Sequence, residues 1–143
     1  MRTLLANGPN LSQLGTRDPG VYGTATLADI ERAVGDVVGD VDAFQSEYEG
    51  ALVERLHAAR SDGTSAVILN PGALTHYSYV LRDAVEMLDV PVVEVHLSQV
   101  HAREPFRHHS VISAVVTATI SGVGPYGYHL AALAALQLAG EQQ

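Results

Sequence analysis

The chain has 143 residues, 47% of them hydrophobic, which fits one globular domain whose single core hides roughly two thirds of the unfolded surface. It has no cysteine and no lysine, all eight cations being arginine, so disulfides, thiolate nucleophiles, cysteine-held metals, Schiff bases and phosphate-binding lysines are excluded. The net charge of −8 argues against nucleic acid and leaves a small anion, held by a local arginine cluster, as the ligand the charge allows.

Residues 2 to 6, RTLLA, read as a short buried strand that stops at Asn7-Gly8-Pro9-Asn10, strong turn chemistry. The following LSQLGTRDPGVYG is glycine-rich and without period; loops of this length in compact domains are commonly lids or binding loops, and a lid is expected over about 12–24. From Thr26, a cap with Asp29 three residues on, Leu27, Ile30, Val34, Val37 and Val38 mark one face of a helix. A strand near Asp42 to Ser46 follows, then an amphipathic helix from Glu49 to Ser61 on Leu52, Val53, Leu56 and Ala59, closed by Asp62-Gly63. A third strand, Ala66 to Leu69, runs into Asn70-Pro71-Gly72-Ala73, and a helix is expected to start at Thr75 with Leu81, Ala84, Val85 and Leu88 inward and His76 and Asp83 on one face. The fourth strand is Val92 to Val95 and the fifth Ala114 to Ile120, leading through Gly122-Val123-Gly124-Pro125 into an alanine-rich helix expected to present Leu130, Leu133 and Leu138.

Within PVVEVHLSQVHAREPFRHHS, residues 91 to 110, an apolar strand abruptly becomes a run of His, Arg, Glu and Ser. A strand has a side-chain period of two, so Glu94 and His96 share a face while Val93 and Val95 fill the other, and the carboxylate can fix which ring nitrogen carries the proton. His101, Arg103, Arg107, His108 and His109 add donors. Any one of these side chains alone reads as ordinary surface polarity; together they read as a site.

Alternating strands and helices predict a single α/β domain over residues 1–143, a flavodoxin-like open five-stranded parallel sheet of order 2-1-3-4-5 with helices on both faces. Ligands then sit beyond the carboxyl ends of the strands, which is where Asn7 to Asn10, Asn70 and Glu94 to His96 fall. No run of 18 apolar residues exists for a membrane span, and the first residues turn polar too early for a signal peptide, so a cytoplasmic protein is expected.

NGPNL at 7–11, LGTRDPGVYG at 14–23, FQS at 44–46, NPGALTH at 70–76, LRDA at 81–84 and VEVHLSQVHAREPFRHHS at 93–110 together resemble the type II 3-dehydroquinate dehydratases, in the right order over nearly the whole chain. The resemblance implies anti elimination of water from 3-dehydroquinate to give 3-dehydroshikimate through an enolate, without metal or cofactor, in a homododecamer of four trimers. By the same resemblance Tyr22 is the base, Arg17 supports its tyrosinate, Asn10 stabilises the enolate oxygen through a water, and His96, oriented by Glu94, protonates the leaving hydroxyl. Asn70, His76, Arg107, Leu97 and Ser98 hold the polyol carboxylate, Asp83 reaches a neighbouring subunit's site, and Arg103 and His101 support the loop. The family usually carries Asn-His after FQS, where this chain has Glu47-Tyr48, and NLNLLG where it has NLSQLG, so Ser12 and Gln13 also depart.

The demand on Tyr22 is quantitative. A free tyrosine has a pKa of about 10, so ionising it near neutrality requires roughly 4 kcal/mol of differential interaction. One arginine in a site closed from water supplies a large part of that, hence the expectation that a lid carries Arg17 and Tyr22 to the substrate together.

Two other classes compete. Seven histidines with Glu94 and Asp83 could build a metal-dependent hydrolase, although His96 and His101 are five apart and no HExxH spacing exists. A binding or signalling module of the same fold is the non-enzyme reading, but a phosphorylation receiver wants acidic residues after strand one and a lysine, a flavin carrier wants a Ser/Thr-rich phosphate loop, and neither is present.

Overall fold

The computed structural model describes residues 1–16, 18, 20 and 24–141. Five strands, β1 (Arg2–Asn7), β2 (Asp40–Gln45), β3 (Thr64–Asn70), β4 (Val92–His96) and β5 (Ala118–Ser121), form one sheet in the order β2-β1-β3-β4-β5. Every neighbouring pair is parallel. This is the flavodoxin-like order expected; helices α1 (Leu27–Val38), α2 (Glu49–Ala59) and α3 (Tyr79–Glu86) make the first three crossovers, 3₁₀ turns lie between β4 and β5, and α4 (Tyr126–Glu141) follows the last strand.

Strand alternation divides the core in two. Leu5, Ile68, Val93 and Val95 point to one face, where Ile30 and Val34 of α1 and the alanines of α4 cover them. Leu4, Ala6, Val67, Leu69 and Val92 point to the other, against Leu52 and Leu56 of α2 and Leu81 and Val85 of α3. Both faces are buried, which is why the central strands read as continuous apolar runs. At the amino-terminal end of the sheet, Arg2 and Arg55 share Asp42 and Asp62, and Arg2 Nη2 lies 2.7 Å from Asp42 Oδ2. These two arginines are committed to the scaffold, away from the strand ends that matter below.

The helix starting at Leu27 has the expected cap. Thr26 Oγ1 accepts from the Asp29 amide at 3.2 Å and Asp29 Oδ2 accepts from the Thr26 amide at 3.0 Å, a reciprocal capping box.

Two expectations are corrected. No α-helix starts at Thr75: residues Gly72–His76 form a 3₁₀ turn, and α3 begins at Tyr79 with Ser78 Oγ accepting the Leu81 amide at 3.1 Å. The Thr75 side chain is instead turned inward, where its hydroxyl donates to the buried Glu94 at 2.6 Å. The fifth strand starts at Ala118 rather than Ala114, because Ser110 Oγ accepts the Ile112 and Ser113 amides and folds the preceding segment into a turn. In α4 the buried residues are Gly127, Tyr128, Ala131, Ala132, Ala135 and Ala139, while Leu133 and Leu136 are exposed. A helix lying directly on a flat sheet favours small side chains at the contact, and a Cβ on Gly127 would already sit 3.2 Å from Val95 Cγ2.

Candidate active site

The carboxyl ends of β1 and β3 are sewn together. Gly8 N donates to Asn70 O at 2.8 Å, and a Cβ at Gly8 would lie 2.7 Å from Pro71 O, so only glycine permits this approach. Gly72 reciprocates, with φ +61 and Pro9 O at 3.0 Å from where its Cβ would be. The NGPN and NPG turns are thus two halves of one interlock, and it forms the floor of a cleft of about 120 Å3.

The cleft is lined by side chains from each of the polar clusters at the strand ends: Asn10 after β1, Asn70 and His76 after β3, and His96, Ser98, Arg103 and Arg107 at or after β4. Leu11, Leu14, Leu97 and Val100 supply apolar wall. A compact cleft with apolar walls and a few convergent polar groups is the form small-molecule sites take.

His96 is held from behind by Glu94. The carboxylate is fully buried and its Oε2 lies 2.5 Å from His96 Nε2. Burial pushes this carboxyl up, but the hydrogen bond and charge of His96, with the hydroxyls of Thr75 at 2.6 Å and Ser113 at 2.8 Å, outweigh it and hold Glu94 below the usual carboxylate range. An ionised carboxylate only accepts, so Nε2 carries a proton and Nδ1 is the nitrogen left to exchange one with a ligand. His76 has a complementary arrangement. Its Nδ1 donates to His109 O at 2.8 Å, and burial first of all lowers its pKa, so the ring stays neutral and Nε2 is an acceptor.

Cations ring the far wall. Arg103 Nη1 donates to Ser98 Oγ at 3.3 Å, and Arg107 Nε donates to Glu104 Oε2 at 3.0 Å while its guanidinium lies 4.6 Å from the centre of the Phe106 ring. An anion entering here meets two half-buried guanidiniums. Asn10 stands on the opposite side in a left-handed conformation, φ 72, and its side-chain amide makes no hydrogen bond among the described residues.

Asn70 is built in from below. Its Nδ2 donates to Tyr128 Oη at 2.8 Å, Tyr128 Oη donates to Asn7 Oδ1 at 2.6 Å, and Asn70 Oδ1 accepts the Gly72 amide at 3.0 Å. Burial raises the Tyr128 phenol far above its ordinary value, so it remains a neutral relay that fixes the Asn70 amide. The second N–H of that amide is left for a ligand.

Of the residues singled out from sequence, Asn10, Asn70, His76, His96, Leu97, Ser98, Arg103 and Arg107 meet in this one cleft, with Glu94 directly behind it. Asp83 is exposed on α3 and lines no part of the cleft of its own chain. His101 is exposed on a 3₁₀ turn, its ring 5.8 Å from that of His108. Arg17 and Tyr22, with residues 19, 21 and 23 of the 12–24 loop, lie outside the described residues. Sequence reasoning missed the hydroxyls of Thr75 and Ser113 and the relay through Tyr128. The signal for the first two was a glutamate inside a valine run, which requires buried donors without saying which; for Tyr128 there was none. Among the described residues no three His, Asp or Glu side chains converge as a metal ion requires, and no helix is long and apolar enough to cross a membrane.

Comparison with known proteins gives a consistent result. The model of the family described as dehydroquinase class II matches residues 1–136. A 3-dehydroquinate dehydratase from Methylococcus capsulatus is 54% identical, covering 94% of this chain and 94% of its own length. A catabolic 3-dehydroquinase from Botryotinia fuckeliana is 51% identical over 91% of this chain and 88% of its own. Among solved structures, a type II dehydroquinase from Propionibacterium acnes superposes with a TM-score of 0.89 at 42% identity, covering 97% of this chain and 96% of that one.

Proposed function

This chain belongs to the class II dehydroquinase family, and from that premise we propose how its cleft removes water from 3-dehydroquinate. The chain is an enzyme, a hydro-lyase of the 3-dehydroquinate dehydratase type. The observation that carries the finer reading is the buried Glu94 with His96 in its grip, facing a cleft edged by Arg103 and Arg107.

In our reading the substrate carboxylate lies toward Arg107 and the Leu97-Ser98 segment, and its hydroxyls meet Asn70, the acceptor nitrogen of His76 and Ser98. Tyr22, as tyrosinate supported by Arg17, takes the proton next to the ketone. The electron pair moves into an enolate whose oxygen Asn10 stabilises through a water. His96 then delivers the proton on Nδ1 to the departing hydroxyl, which leaves as water while the enolate collapses to the conjugated enone. Glu94 stabilises the imidazolium before transfer and the neutral ring afterwards retains its Nε2 proton. No metal or cofactor takes part in this scheme, and the enzyme acts in the cytoplasm. His101 and Arg103 brace the loop, and Asp83 serves a neighbouring copy in a homododecamer of four trimers.

The test is turnover of 3-dehydroquinate in the presence of a chelator, followed by the ultraviolet absorbance of the enone. Parent protein turns over; Tyr22→Phe does not, and Arg17→Ala loses turnover far more than binding. Inactivity of folded, assembled parent overturns the reading. Near-normal turnover of Arg17→Ala removes its support for the tyrosinate.

A further inference from the structure

Glu47 follows the end of β2 and is exposed, yet its carboxylate is engaged by three donors, two of them on the turn that carries Asn10. Oε2 accepts the Asn10 amide at 2.8 Å, and Oε1 accepts Ser12 Oγ at 2.6 Å and Gln45 Nε2 at 2.7 Å. Gln45 Nε2 also donates to Gly8 O at 3.2 Å, so the carboxylate is tied into the same interlock that floors the cleft. The residue it grips is the one non-glycine among the described residues with positive φ, a conformation that costs an L-residue about 1 kcal/mol or more unless its surroundings impose it.

We propose that Glu47 is a positioning residue for the dehydration: it fastens the left-handed turn at Asn10 and so keeps the Asn10 amide aimed into the cleft. The proposal rests on the reading that Asn10 stabilises the enolate. Three observations carry it. The carboxylate bonds to the backbone amide of the strained residue itself, not to a neighbour. Its second oxygen takes the hydroxyl of Ser12, two residues on, which ties down the chain as it leaves Asn10. The Asn10 side chain has no hydrogen bond of its own among the described residues, so the backbone sets the direction from which it enters the cleft and no side-chain partner does. Ser12 and Glu47, two of the four residues named above as departures from the family's usual motif, are thereby one feature, a hydroxyl and the carboxylate that accepts it. The negative charge is also not presented to an incoming anion as a bare carboxylate, since three donors already surround it.

The experiment compares steady-state kinetics of parent, Glu47→Ala, Glu47→Gln and Ser12→Ala with 3-dehydroquinate, with thermal midpoint and assembly recorded for each. The expected result is a loss of kcat of about tenfold in Glu47→Ala with KM changed less than about threefold, because an enolate contact acts in the transition state rather than in the ground state. Glu47→Gln, which keeps one acceptor oxygen, recovers a substantial part of kcat, and Ser12→Ala shows a smaller loss of the same kind. A role in fold alone would lower the thermal midpoint and leave kcat per folded molecule at the parent value, which overturns the proposal. A rise in KM at unchanged kcat overturns it too. If Glu47→Ala fails to fold, Glu47→Gln and Ser12→Ala decide the same question. Inactive parent protein would instead refute the reaction assigned to the cleft, whereas active parent with unaltered variants refutes only the role of Glu47.

Discussion

At the scale of single residues, the pair on which the proposed chemistry turns is Glu94 with His96. Glu94→Gln keeps the shape but replaces an acceptor-only carboxylate with an amide that must turn an N–H2 toward one of its donors, Thr75, Ser113 or His96. It also withdraws the charge that stabilises the imidazolium. Turnover should fall on the order of 10²-fold, the scale of one general acid, with the circular dichroism spectrum unchanged. The same substitution changes the response to acid. Glu94 sits below the usual carboxylate range, so its ionised form favours the folded state; that contribution is complete above the ordinary carboxyl value of about 4.3 and lost as pH falls through the lower folded value. Urea midpoints taken at neutral pH and near pH 3 should therefore differ less in Glu94→Gln than in the parent. A period of two is enough to read this pair from sequence, which is why Glu94 and His96 were legible. Thr75, Ser113 and Tyr128 were not, because they reach the site from segments 19, 19 and 58 residues away from the groups they touch.

At the scale of elements, the interlock of the NGPN and NPG turns makes a sharp prediction. Gly8→Ala places a methyl 2.7 Å from Pro71 O, a backbone atom that cannot rotate aside. The strand ends must separate, and the expected cost is about 2 kcal/mol or more, typical of backbone overpacking, with KM raised as well because Asn70 and Gly72 shift. A denaturant midpoint within error of the parent would contradict the interlock. Four strands, α1 with its Thr26 cap and α2 were legible from apolar period and turn chemistry. The errors share a cause. The start of β5 and the start of α3 were misplaced because Ser110 and Thr75 spend their hydroxyls on tertiary and local partners that no period reveals.

At the scale of the whole molecule, α3 and α4 carry large apolar side chains on their outer surfaces: Tyr79 and Val80 on the first, Leu133 and Leu136 on the second. Exposed apolar area of this kind is commonly covered by association; the number twelve comes only from the assembly proposed above on family resemblance, and light scattering tests it, since a monomer would remove the assembly from the scheme. The relay through Tyr128 has a different consequence, one of order in time. Asn7 and Tyr128 are 121 positions apart, so bringing them together closes nearly the entire polymer into a single loop, the slowest class of contact for a chain to find. A polypeptide emerging from the ribosome by its amino end exposes the first strand early and the last helix late. Until that helix arrives, Asn7 and Asn70 have no hydroxyl between them, so the floor of the cleft at Asn70 is set only once α4 has packed.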